Sequence, residues 1–195
     1  MNAPPIRAVE ESEAQAALAC LTLAFSSDPV FRYFWPRPAD YLQYGPPLMM
    51  AMGERGFEHG TVTATEDFGA VAMWLPPGVE ANPEALRSVP RAPTTPEEDA
   101  VRGELRNQMR RYHPKEPHWY LWAIGVDPRR QGQGLGSALL KHTLSQCDAR
   151  GDIAYLESSS PKNVPLYARH GFEVMDVIEV GDIPPITPML RPARR

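Results

Sequence analysis

The sequence predicts an α/β fold in which strands alternate with amphipathic helices, and three observations carry that prediction. Residues 118–126 form a near-continuous apolar run, the pattern of a central strand covered on both faces. Residues 134–149 place Leu135, Leu139, Leu140, Leu144 and Cys147 at helical spacing, up to a stop at Gly151. Residues 153–157 then resume a strand pattern. A strand, a crossover helix and a second strand normally leave the two strands parallel.

The remaining elements follow in chain order. Residues 6–10 read as a short first strand. Ser12 and Gln15 have the spacing of a capping box for a helix striped by Ala14, Ala17, Leu18, Leu21 and Phe25. Asp28-Pro29 ends that helix. Residues 30–35 crowd Phe31, Tyr33, Phe34 and Trp35 together; they fit a helix or loop packed on the core, or one wall of a pocket. A helix is expected over 41–53, with Pro46 and Pro47 near its first turns. Residues 60–65 and 69–75 read as strands joined by a turn at Glu66-Asp67, and Pro76-Pro77-Gly78 stops the second. Eight of the 22 prolines fall between Pro76 and Pro117, which predicts loops and interrupted helices there. Thr95-Pro96-Glu97-Glu98 is a helix start with a Thr cap, Pro at the first position and Glu at the third. Its buried stripe is Val101, Leu105, Met109 and Tyr112. Glu97, Glu98 and Asp99 open this helix and Arg106, Arg110 and Arg111 close it, so the charge runs complement the helix dipole and need no ligand. Residues 163–170 form a short helix with Asn163 as cap and Pro165 in its first turn. Residues 172–180 and 186–190 are the closing strands.

Composition narrows the function classes. The 195 residues suit one domain, and no domain-scale linker interrupts them. The net charge of −4, from 24 acidic and 20 basic residues, disfavours a dedicated nucleic-acid binder. The longest apolar run falls far short of the roughly 20 residues of a membrane span, and the first residues lack the pattern of a secretory signal. Cys20 and Cys147 read as free thiols in a reducing, cytoplasmic setting. The histidines lack the spacing of a metal-ligand cluster, so no metal site is expected.

The segment that carries chemistry is 126–137, Val-Asp-Pro-Arg-Arg-Gln-Gly-Gln-Gly-Leu-Gly-Ser. A buried strand ends, a tight turn follows, and a helix opens through Gly132, Gly134 and Gly136. The free N–H groups of a helix start, beside the positive end of its dipole, suit a phosphate or pyrophosphate, with Arg129 and Arg130 just upstream. A glycine-rich turn without a ligand is the alternative. The dinucleotide fingerprint fails, because Ser137 stands where its third glycine belongs, and the phosphate-loop motif is absent.

What fits is Gln131-x-x-Gly134-x-Gly136, followed downstream by Leu166-Tyr167-x-x-x-Gly171-Phe172. These two elements, in this order, resemble the GCN5-related N-acetyltransferase (GNAT) family, and the string from Pro114 to Trp119, the Gln-Gly-x-Gly-Leu-Gly-Ser loop and the segment from Asn163 to Phe172 are together similar to its puromycin N-acetyltransferase-like members. The likeness covers about residues 112–190. It implies a mixed central sheet flanked by helices, with residues 1–112 as a variable substrate-side half and 113–191 as the acetyl-CoA-binding half of a single domain.

The resemblance further implies that the strands at 119–126 and 153–157 diverge at one end. The pantetheine arm of acetyl-CoA would lie in that gap against the backbone of Ala123, Ile124, Gly125 and Val126. The pyrophosphate would sit on the amides of Gln131, Gly132, Gln133, Gly134, Leu135, Gly136 and Ser137. Tyr167 occupies the position of the acid that protonates the leaving thiolate. Glu157 is the expected base, with salt bridging or substrate anchoring as its competitor and Glu116 and His118 as lesser candidates. Asn163 is a helix cap or a cofactor contact, and either it or Ser160 would meet the pantetheine. The expected activity is transfer of acetyl from acetyl-CoA to a primary amine, of a small molecule, by a monomer or homodimer. Acetylation of a protein or peptide amine, and acyl-CoA sensing without turnover, are the alternatives.

Overall fold

The protein is described here from a computed structural model covering residues 4–194. The strands are β1 (Ile6–Ala8), β2 (Val62–Thr65), β3 (Ala70–Leu75), β4 (Trp119–Val126), β5 (Ala154–Ser158), β6 (Glu173–Val174), β7 (Ile178–Val180) and β8 (Ile183–Arg191). The helices are α1 (Ala14–Ala24), α2 (Pro29–Phe34), α3 (Pro38–Glu58), α4 (Pro83–Ser88), α5 (Pro96–Tyr112), α6 (Leu135–Arg150) and α7 (Val164–Arg169). The sheet runs β1-β2-β3-β4-β5-β8-β6, with β7 also paired to β8. Among the described residues only β4 and β5 pair in parallel, across the α6 crossover; the other neighbours are antiparallel. The fold is therefore the mixed α/β sheet expected.

Helices cover both faces. On one, α6 packs Leu135, Leu139, Leu140, Leu144 and Cys147 against Trp74, Trp119, Leu121 and Leu156. On the other, Ala17, Cys20 and Leu21 of α1 and Met49 and Phe57 of α3 pack against Val62, Val71, Met73 and Ala123. A third cluster joins Leu105 of α5 to Ile178, Val180, Ile183 and Ile186.

Several expectations are corrected. Ser12 caps nothing: residues 11–13 form a 3-10 turn, and Glu13 takes over the start of α1. Its carboxylate accepts the Glu10 N–H at 3.1 Å and both arms of Arg7 at 2.7 Å. Helix α3 starts earlier and ends later than 41–53, with Pro46 and Pro47 in its interior. Each proline removes one backbone donor, and the facing carbonyls belong to the exposed residues Leu42 and Gln43, within reach of water. Helix α4 lies inside the proline-rich stretch, capped by Asn82, whose side chain accepts the Glu84 N–H at 2.9 Å. Strand β4 alternates buried and half-buried residues instead of being covered on both faces, because one face borders a cleft. The strand expected over 172–180 is broken into β6 and β7. At the break the Met175 N–H turns to the Pro188 carbonyl, and Asp176 accepts from its neighbour Val177 and from Tyr112.

Candidate active site

The site begins with a mismatch between strands. β4 and β5 pair only at Trp119↔Ala154, Tyr120↔Tyr155 and Leu121↔Leu156. On its other edge β4 places Leu121 opposite Trp74 and Ala123 opposite Met73, so Trp122 is an extra residue in a bulge. A bulge bends its strand. From Trp122 onward β4 parts from β5, and its freed edge faces a cleft of about 880 Å³ that runs to the start of α6. Ile124, Gly125 and Val126 line one wall; Ser160, Asn163, Leu166 and Tyr167 line the other. A smaller cavity of about 150 Å³ adjoins it at the fork, walled by Phe25, Phe31, Trp122 and Glu157. The aromatic segment at 30–35 is thus both a helix and a pocket wall, since Val30 and Phe31 face this cavity.

At the far end the chain turns through Gly132 and Gly134, at φ 76° and 81°. Nothing crowds either position, so glycine is needed for the backbone angle and not for space. Gly134 is the cap of α6, and the first N–H to bond back along the helix is that of Ala138, to the Gly134 carbonyl at 3.0 Å. The amides of Leu135, Gly136 and Ser137 are left without a helical acceptor, and all three residues border the cleft. Arg130, Lys162 and Arg169 border it too and make this end cationic. Arg130 is itself paired with Asp67.

Not every expected residue contributes in the same way. Gln131 and Gly132 line the cleft, and the Gln131 amide reaches the Val126 carbonyl at 3.4 Å. Gln133 is exposed and stands outside the cleft wall. The Ser137 hydroxyl lies 2.7 Å from Nε2 of His170, which leaves its backbone amide as the group free for a ligand. Asn163 makes no side-chain cap bond to α7; it faces both cavities instead. Ser160 lies on the same wall, with its carbonyl accepting from Ser158 Oγ at 2.9 Å.

Tyr167 is buried where the two cavities meet, its ring 6.2 Å from that of Phe172. Burial pushes its pKa upward, and the nearby charge of Asp28 adds to this. It therefore keeps its proton at neutral pH. Asp28 does more than end α1. Its carboxylate accepts the Val30 and Phe31 N–H groups at 3.0 Å each, and the hydroxyl of Ser159 as well. It thus ties the α1–α2 junction to the end of β5, and burial raises its own pKa.

Glu157 faces the smaller cavity from β5. Tyr120 donates to its Oε2 at 2.6 Å and Tyr155 to its Oε1 at 3.0 Å. Nδ1 of His113 stands 3.7 Å from Oε1. Burial next to the carboxylate drives both tyrosine pKa values up, so both remain donors. His118 touches His113 through its ring, and burial lowers its pKa. Glu116 contributes its backbone carbonyl to His118, while its own side chain is exposed. His113, Asp28, Lys162 and Arg169 were not legible as site residues. Each has a complete local explanation as helix end, cap or surface charge, and only the fold brings Asp28, Lys162 and Arg169 to the cleft and His113 to Glu157.

Residues 96–172 match the acetyltransferase (GNAT) family. Over 182 residues the chain is 30% identical to an uncharacterized N-acetyltransferase of Schizosaccharomyces pombe, which covers 84% of this chain and 72% of that protein. A mycothiol acetyltransferase of Streptosporangium roseum is 38% identical over 68 residues, 33% of this chain and 20% of that one. Among solved structures, a protein described as histone acetyltransferase HPA2 and related acetyltransferase, from Corynebacterium glutamicum, superimposes with a TM-score of 0.73 at 24% identity, covering 100% of this chain and 98% of its own. A polyamine N-acetyltransferase of Drosophila melanogaster superimposes at 0.59 with 14% identity, covering 96% of this chain and 99% of its own.

Proposed function

Because the chain belongs to the GNAT acetyltransferase family, we propose that it moves an acetyl group from acetyl-CoA to the primary amine of a small molecule. The observation that carries this reading is the fork between β4 and β5 opening onto the unbonded amides of α6. The donor set fits the co-substrate: neutral amides and the cationic side chains of Lys162 and Arg169 for phosphates, and an unpaired strand edge for the amide-bearing pantetheine arm. When bound, acetyl-CoA supplies an activated thioester. Everything else is done by this chain. Leu135, Gly136 and Ser137 hold the diphosphate through their N–H groups, with Lys162 and Arg169 beside them. The free edge of β4 orients the arm and offers an N–H to the reacting carbonyl. Tyr167 holds a proton where the leaving sulfur departs. Glu157 anchors the acceptor ammonium and takes its proton, since only a neutral amine attacks. The small aromatic cavity beside Glu157 favours a compact acceptor over a polypeptide.

The test is thiol release measured with dithionitrobenzoate across a panel of small amines and basic peptides. Turnover of small amines alone is expected. Turnover restricted to peptides would replace the acceptor, and binding of acetyl-CoA with no turnover of any amine would leave an acyl-CoA sensor.

A further inference from the structure

His113 and His118 lie on the side of Glu157 away from the cleft, and their hydrogen bonds form an ordered series. Nδ1 of His118 stands 2.7 Å from the Glu116 carbonyl oxygen. A carbonyl only accepts, so this nitrogen carries the proton in the neutral ring. Nε2 of His118 is then a lone pair, and it stands 3.1 Å from Nε2 of His113. That contact requires the proton to sit on Nε2 of His113. Its Nδ1 is therefore left basic, and Nδ1 is the atom that faces Oε1 of Glu157 at 3.7 Å. Two lone-pair groups in apposition, too far apart for a hydrogen bond yet within ion-pair reach, form a site for one incoming proton.

We infer that His113 receives, through Glu157, the proton lost by the acceptor amine, and that the Glu116 carbonyl and His118 fix which of its ring nitrogens is basic. This rests on the amine-acylating reading above. The ammonium N–H bond breaks as an O–H bond forms on Glu157. That bond breaks in turn as Nδ1–H forms on His113, and the half-exposed imidazolium later gives the proton to water. The groups facing His113 suit this. Tyr120 from β4 and Tyr155 from β5 present their rings 4.9 Å away, and His118 lies at 4.8 Å. Glu157 is the carboxylate beside it. Among the described residues Glu157 pairs with no lysine or arginine that would compete for its charge. Both histidines act through Glu157 and are positioning residues.

Two measurements decide the point. The first is nitrogen-15 NMR of the imidazoles in the unsubstituted protein at about pH 9. His118 protonated on Nδ1 and His113 on Nε2 are expected; a His113 proton on Nδ1 overturns the inference. The second is kcat/KM for the amine against pH in His113→Phe, which keeps a flat ring, and in His118→Phe. A loss of about tenfold or more near pH 7 is expected, shrinking as the pH passes about 10.4, where the amine loses its proton to solvent unaided. A loss equal at every pH, or no loss, overturns it. If the unsubstituted protein acylates no amine, the transfer reading itself fails, and the NMR result alone confirms or refutes the ordered pair.

Discussion

Tyr167 and Glu157 carry the chemical argument at the scale of single residues. Tyr167→Phe should lower kcat by roughly 10²-fold or more while leaving acetyl-CoA affinity unchanged, because only the proton donor is removed. Steady-state turnover with calorimetry on the same variant checks this; unaltered turnover removes the acid role. Gly125 makes a separate prediction. A methyl group there would stand 2.6 Å from Cβ of Ala24 and 2.9 Å from Cδ2 of Leu21. Gly125→Ala should therefore push α1 off the sheet and cost about 1–3 kcal/mol, measured by urea unfolding. Motif residues were legible in the sequence because their spacing is local. Asp28 and His113 were not, because the partners that place them, Ser159 just after β5 and Glu157 on it, lie far along the chain. Asn163 was ambiguous for the same reason: its helix-cap role and its cleft position predict the same residue type, and only the missing cap bond separates them.

Elements were legible where pattern and end signals agreed. Helix α5 starts at Thr95 as read, with the Thr95 hydroxyl accepting the Glu98 N–H at 3.2 Å and Glu98 accepting the Thr95 N–H at 2.9 Å. Thr95→Ala should cost about 0.5–2 kcal/mol, and thermal unfolding measures it. The α6 crossover and its parallel strands also follow from sequence, since the Leu stripe and the capping Gly151 are unmistakable. Failures cluster where a distant contact overrides a local signal. The Arg7–Glu13 pair displaces the Ser12 box, and the Tyr112–Asp176 bond lies at the break in the expected 172–180 strand. The bulge at Trp122 left no mark in the apolar run, yet it opens the fork. Element α6 makes its own prediction. Gly134→Ala forces a side chain into φ 81°, which should cost about 1–2 kcal/mol and weaken coenzyme A binding together. A loss of stability with intact binding would detach this turn from the ligand.

Over the whole molecule, helices on both sides bury the two cysteines. Burial raises Cys20 to about 11 and Cys147 to about 12. A thiol whose pKa is higher in the folded than in the unfolded chain supports stability fully below the unfolded value, about 8.5. That support is lost as pH climbs towards the folded values. Urea midpoints should thus fall from about pH 9 upward, and fall less in a Cys20→Ala, Cys147→Ala protein. The native thiols should also react with dithionitrobenzoate only on unfolding, which keeps them out of the turnover assay.

The central claim is that the forked cleft grips an acyl-CoA by its diphosphate. Calorimetric titration of coenzyme A into the folded protein, set against pantetheine without the diphosphate, tests it most directly. Saturable heat with coenzyme A, weakened by salt and much smaller with pantetheine, is the predicted result. No heat at millimolar coenzyme A, or equal binding of the two molecules, would contradict it.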